Sequence, residues 1–111
     1  MLKKSLRKEM ILRNREQIDR LFCEGRRIST PYFHVLLITN HHDNKMLVGA
    51  ARSIGSHARR NRAKRRLREL YRLYRHRLPE GVMLGILAKE KCINCSYQEL
   101  QAAFLNTLSR L

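Results

Sequence analysis

The sequence predicts an α+β fold in which helices pack on a mixed sheet. Three observations carry that prediction. Val82 to Ala88 is a continuous apolar run, as in a strand covered on both faces. Ser96 opens a capped, amphipathic stretch that reaches Leu111. The elements follow one another as α, β, β, α, β, α with short connections, the order of a sandwich of helices on a sheet. With 111 residues and 43% apolar content, one domain spanning 1–111 with a modest core is expected.

Residues 1–13 are basic and expected to be extended. A first helix starts at Asn14, whose side chain can cap it while Gln17 completes a capping box. Ile18, Leu21 and Phe22 fall at helical spacing, and Gly25 is placed to end the helix. A short strand around Arg27–Ser29 is left open, because the residues barely mark it. After Pro31, Tyr32 to Thr39 is rich in β-branched and aromatic residues and reads as a strand. Asn40-His41-His42-Asp43-Asn44 reads as a turn and Lys45 to Ala51 as a further strand, which together suggest a hairpin. A long helix follows Gly55-Ser56. Pro79-Glu80-Gly81 is a turn before the apolar strand, and the last helix carries Ser96 and Glu99 as its capping box. Tyr97, Leu100, Phe104, Leu108 and Leu111 then recur at three- and four-residue steps.

Charge narrows the function. Lys plus Arg number 24 against 9 Asp plus Glu, a net +15. Such density opposes compaction unless a polyanion neutralises it, and the usual polyanion is nucleic acid. The predominance of Arg favours bidentate phosphate contacts and stacking. Between Arg52 and Arg77 stand eleven Lys or Arg and one acid, Glu69, so that segment holds +10, while the rest has thirteen basic against eight acidic residues. Ala63, Leu67, Leu70, Tyr74 and Leu78 form the expected buried face of this helix. Arg65, Arg68, Arg72 and Asn61 fall roughly opposite, with Arg62, Lys64 and Arg75 on the flanks. Neutralising six phosphates in this way would cost roughly three orders of magnitude in affinity between 50 and 200 mM salt. Ser56 can cap the helix, and the free amides of its first turn lie beside Arg59 and Arg60, adding an anion site.

The string Gly55-Ser-His-Ala-Arg-Arg60-Asn61-Arg62-Ala-Lys64-Arg65-Arg-Leu67-Arg68-Glu69 closely resembles the signature of the bacterial ribonuclease P protein family. That signature runs Gly, a few residues, Arg-Asn-Arg, one residue, Lys-Arg, two residues, then Arg-Glu. A bare Arg-Asn-Arg is uninformative: Arg13-Asn14-Arg15 has it too, without the downstream basic residues. The resemblance covers nearly the whole chain. It implies an αβββαβα sandwich, with helices on a mixed four-stranded sheet and a left-handed βαβ crossover, of the ribosomal protein S5 domain 2-like class. It also implies a subunit that helps a catalytic RNA remove the 5′ leader from precursor tRNA. By position, Arg52, Ser56, Arg59, Arg60, Asn61, Arg62, Lys64, Arg65, Arg68 and Arg72 would face the catalytic RNA. Arg15, Ile18, Phe22, Phe33 and Leu36 would lie in or near a cleft for the single-stranded leader, where base stacking is worth about 1–3 kcal/mol per base. Ser53 stands where the family usually has a second Lys before the glycine, and Ile18 and Leu36 stand at usually aromatic positions. The cleft is therefore expected to stack less.

Other chemistry is poorly represented. Two Asp, Asp19 and Asp43, lie far apart and no acidic motif exists to hold catalytic metals, so any catalysis is expected to belong to a partner. Cys92-Ile-Asn-Cys95 has the spacing of half a zinc site with no second pair, and with Cys23 it reads as reduced thiols. His41-His42-Asp43 reads as a hydrophilic turn. No cofactor is expected on the protein itself, with magnesium at the RNA active site, and one protein per RNA. No long apolar run or signal segment is present, so no membrane partner and a cytoplasmic location are expected. A ribosomal or other structural RNA-binding protein is the alternative. A DNA-binding regulator is disfavoured, because no helix-turn-helix precedes the basic helix.

Overall fold

The computed structural model describes residues 11, 12, 14–39 and 44–111. Most of the basic N-terminal segment and the His41-His42-Asp43 turn lie outside the described residues. Helix α1 spans Arg15–Glu24, and Asn14 caps it by accepting from the Gln17 amide at 3.2 Å. Gly25 ends it through its amide on the Leu21 carbonyl at 3.0 Å. The glycine is required by proximity: an added Cβ would sit 2.3 Å from the Leu21 oxygen. Its φ of −63° is ordinary, so no left-handed cap is used.

The faintly marked strand is real. β1, Arg26–Ser29, pairs antiparallel with β2, Phe33–Ile38. Thr30 organises the turn between them, its hydroxyl oxygen accepting from the Tyr32 and Phe33 amides at 3.2 and 3.0 Å. The hairpin expected between β2 and the next strand does not form. β3, Lys45–Ala50, pairs in parallel with β4, Met83–Ala88, and β4 lies between β2 and β3 in the order β1-β2-β4-β3. The reason is burial. β4 is the most uniformly apolar strand and gains most from a central place with both faces covered. Ile38 and Lys45 both register against Met83, so the chain crosses one intervening strand between them.

The crossover from β3 to β4 is helix α2, His57–Tyr74, followed by a 3₁₀ turn at Arg75–Arg77. Gly81, with φ of 73°, takes the left-handed position of the turn that leads into β4. Asn44 ties this turn down, donating to the Pro79 carbonyl at 3.1 Å and accepting from the Val82 amide at 3.0 Å. A one-turn helix not foreseen in the sequence, α3 at Lys91–Asn94, precedes α4 at Tyr97–Ser109. Ser96 caps α4, accepting from the Glu99 amide at 3.1 Å.

The sheet separates two cores. On one face Phe33, Val35, Leu37, Leu84 and Ile86 meet Ala63, Leu67, Leu70 and Tyr71 of α2 and Leu100 and Phe104 of α4. Phe33 and Phe104 meet edge to face, 6.4 Å between centroids. On the other face Leu12, Leu21, Leu36, Ile38 and Met83 form a smaller core under α1. Tyr97, expected on the buried stripe of α4, is instead exposed at the first helical position. Near the edge of the sheet, Leu12 donates to the Met46 carbonyl at 2.7 Å, so the described end of the N-terminal segment is extended along β3.

Candidate nucleic-acid interface

α2 owes its orientation to its own periodicity. Ala63, Leu67, Leu70 and Tyr71 are buried against the sheet, while Tyr74 is half-buried and Leu78 closes the core after the 3₁₀ turn. Its start is set by Ser56, whose hydroxyl accepts from the Arg59 amide at 3.4 Å, and by the fully buried Ile54 in the loop before it. Burying one stripe leaves the other to water. Asn61, Arg62, Arg65 and Arg68 are exposed there, with Arg52 exposed in the preceding loop. Arg62, Arg65 and Arg68 have no protein partner among the described residues. A rigid row of unpaired guanidinium groups is a surface suited to phosphate oxygens.

Not every cation of the helix belongs to that row. At about 100° per residue, Arg59 and Arg66 lie only about 40° and 60° from Ala63, on the flank that faces α3. Arg66 turns inward, donating to the carbonyl oxygens of Cys92, Ile93 and Cys95 at 2.7, 3.1 and 2.9 Å. These are the groups a helix C-terminus leaves unsatisfied, so Arg66 is the cap of α3. Arg59 meets Glu90 at 3.3 Å, an exposed pair of small energetic weight. Arg72 donates through Nε and Nη2 to the two carboxylate oxygens of Glu69, whose carboxyl is held below its ordinary range by that hydrogen bonding. Arg60, Asn61, Lys64 and His57 surround a cavity of about 110 Å³ against Ala50 at the end of β3, and Arg60 Nε is buried with no hydrogen-bond partner among the described residues.

The residues expected for the cleft divide between the two faces of the sheet. Arg15 and Phe22 are exposed on α1 and Ile18 is half-buried beside them, packed on the smaller core. Leu36 shares their face of the sheet but is 2% exposed, under Leu21. Phe33 is a correction. Strand alternation turns it to the opposite face, where it is fully buried against Phe104, so it does not line the α1 side. The open floor beside α1 is instead the next row across the sheet, Ser29, His34, Leu87 and Gly49, none of them fully buried. Parity with Leu36 marks His34 in the sequence as a residue of the same face.

Cys92 is fully buried beneath α2, its thiol directed at the Ala63 carbonyl, and burial pushes that thiol up to about 11.

The model of the Ribonuclease P family matches residues 6–111 of this chain. The chain belongs to the Ribonuclease P family. Among curated relatives, the ribonuclease P protein component of Geotalea uraniireducens is 35% identical over 106 residues, spanning 93% of this chain and 90% of that protein. That of Desulfosudis oleivorans is 32% identical over 98 residues, 87% of this chain and 81% of that one. The RNase P protein of Thermotoga maritima superposes with a TM-score of 0.78 at 26% identity, over 90% of this chain and 96% of that one. The RNase P protein of Staphylococcus aureus, at 15% identity, shares the fold with a TM-score of 0.77 over 90% of this chain and 93% of that one. Membership in the Ribonuclease P family as a protein component decides against the structural RNA-binding alternative. Among the described residues no helix is long and apolar enough to cross a membrane.

Proposed function

We propose that this chain is the protein subunit of ribonuclease P, binding the catalytic RNA along α2 and the 5′ leader of precursor tRNA beside α1. The observation that carries this reading is the family motif laid along one helix. Arg62, Arg65 and Arg68 stand on the exposed face, unpaired among the described residues, and Arg60, Asn61 and Lys64 line the cavity at the end of β3. Arg52 and Ser56 flank that surface, and Arg59 and Arg72 border it, each in contact with a glutamate. On the other side of the sheet, Arg15, Ile18 and Phe22 form the α1 wall of the leader cleft, and Leu36 supports its floor from below.

The chemistry belongs to the RNA subunit and its magnesium ions. The protein has no cluster of carboxylates for two metals in its sequence, and its surplus of arginine serves to screen repulsion between two RNAs. It works without a cofactor of its own, one copy per catalytic RNA, in the cytoplasm.

The test is reconstitution. The protein is added to a bacterial ribonuclease P RNA and a 5′-extended precursor tRNA at low magnesium. Stimulated release of the leader is expected. No stimulation, or equal stimulation by a generic basic protein, would overturn the assignment.

A further inference from the structure

The floor of the α1 cleft carries one side chain with hydrogen-bonding chemistry at its centre. His34 lies between Ser29 on β1 and Leu87 on β4, and is half-buried. Its Nδ1 is 2.5 Å from the Ser29 hydroxyl, which fixes the ring and leaves Nε2 as the nitrogen available to a ligand. The neighbouring row, which contains Leu36 and Gly85, is closed by Leu21, so a strand of RNA lying beside α1 rests on the His34 row.

We propose that His34, steadied by Ser29, is a pH-dependent contact to a phosphate of the bound 5′ leader. The inference rests on the leader-cleft reading above and adds to it a residue and a direction of pH dependence. The charged groups acting on the ring are Lys89, just past β4, and Arg27 on β1, both cations. Helix α1 carries Arg15, Glu16, Asp19, Arg20 and Glu24, of which Arg20 and Glu24 pair with each other at 2.9 Å. Burial, then Lys89, then Arg27 hold the free imidazole below its ordinary value, so it is neutral at pH 7. A phosphate brought against Nε2 offsets the two cations and favours the imidazolium by direct charge attraction. The complex therefore takes up a proton, and leader affinity rises as pH falls through the titration of the bound ring.

The experiment uses the assembled holoenzyme with calcium in place of magnesium to suppress cleavage. Affinities for a precursor tRNA with its leader and for the same tRNA without it are measured from pH 5.5 to 8. The ratio of the two isolates the leader. For the unmodified protein this ratio is expected to rise several-fold towards pH 5.5, and for His34→Leu to stay flat. A ratio near one at every pH would overturn the cleft reading itself. A leader-dependent ratio that ignores pH, or a pH-dependent one retained in His34→Leu, would overturn the role of His34 alone. A titration of the His34 ring by NMR in the unmodified protein, with and without a short leader oligonucleotide, needs no variant. An upward shift on binding is expected, and an unchanged ring would overturn the proposal.

Discussion

The guanidinium of Arg66 donates to the carbonyl oxygen of Cys92 at 2.7 Å, joining the middle of the basic helix to the end of α3. Together with the contacts to Ile93 and Cys95, this makes Arg66 a structural cation in the middle of an RNA-facing run. Hydrogen bonds to a charged group contribute about 1.5–3 kcal/mol, so Arg66→Ala should destabilise the fold by about 2–3 kcal/mol. Thermal unfolding should show a drop of roughly 10 °C. The salt dependence of binding to the catalytic RNA should be unchanged, because no phosphate contact is lost.

Arg62 and Arg65 predict the reverse. Replacing both with Ala should leave stability within about 0.5 kcal/mol, since neither has a protein partner among the described residues. The slope of log affinity against log salt should flatten by about 1.5–2. Filter binding across a salt series measures it, and an unchanged slope would place the RNA contact elsewhere.

Phe33 and Phe22 provide a test of which aromatic ring is core. Phe33→Ala removes a fully buried ring from its contact with Phe104 and should cost about 3–5 kcal/mol. Phe22, 45% exposed, should tolerate Ala with little loss of stability while weakening the leader-dependent part of precursor binding. Chemical denaturation of both variants, with the leader and leaderless affinities of the second, separates the roles.

Gly85 sits beneath α1, and a Cβ there would approach Leu21 Cδ2 to 2.8 Å. Leu21 is fully buried and has little room to retreat. Gly85→Ala should therefore cost about 1–3 kcal/mol by overpacking. It should also weaken leader binding, because α1 must lift from the floor it shares with the cleft. Denaturation and leader-affinity measurements on the same variant check both effects.

Cys92 should resist alkylation at pH 8 while the exposed Cys23 reacts, as peptide mapping after brief iodoacetamide treatment would show. Its thiol titrates from an ordinary value of 9.0 in the unfolded chain to about 11 in the fold. Between those values the unfolded chain has lost the proton that the native thiol keeps, so the contribution of Cys92 is complete below pH 9 and is lost as pH rises towards 11. Cys92→Ala should flatten the decline in stability over that interval.

Much of this protein was legible before any coordinates. Asn14 and Ser96 cap where their side chains indicate, because capping is a local reaction between a hydroxyl or amide and the next free amides. The stripe Ala63, Leu67, Leu70 needs only helical geometry to define which side of α2 faces water. β1 was nearly invisible: only Ile28 of its four residues is buried, and its pairing with β2 comes from the Thr30 turn. α3 is a single turn, too short for any periodicity, and is held by an arginine far away in sequence.

By itself the sequence determined the local elements, the exposed row of arginines on α2 and, through the extended motif around Arg60–Glu69, the family. These follow from interactions over a few residues or from charge counts that folding does not alter. Only the tertiary structure decided that β4 enters between β2 and β3, that the face of β2 carrying His34 and Leu36 is the one beneath α1, and that Arg66 is structural. Each of those depends on which surfaces compete for burial across the whole chain. That competition is settled by packing between residues distant in sequence, and no short-range pattern records it.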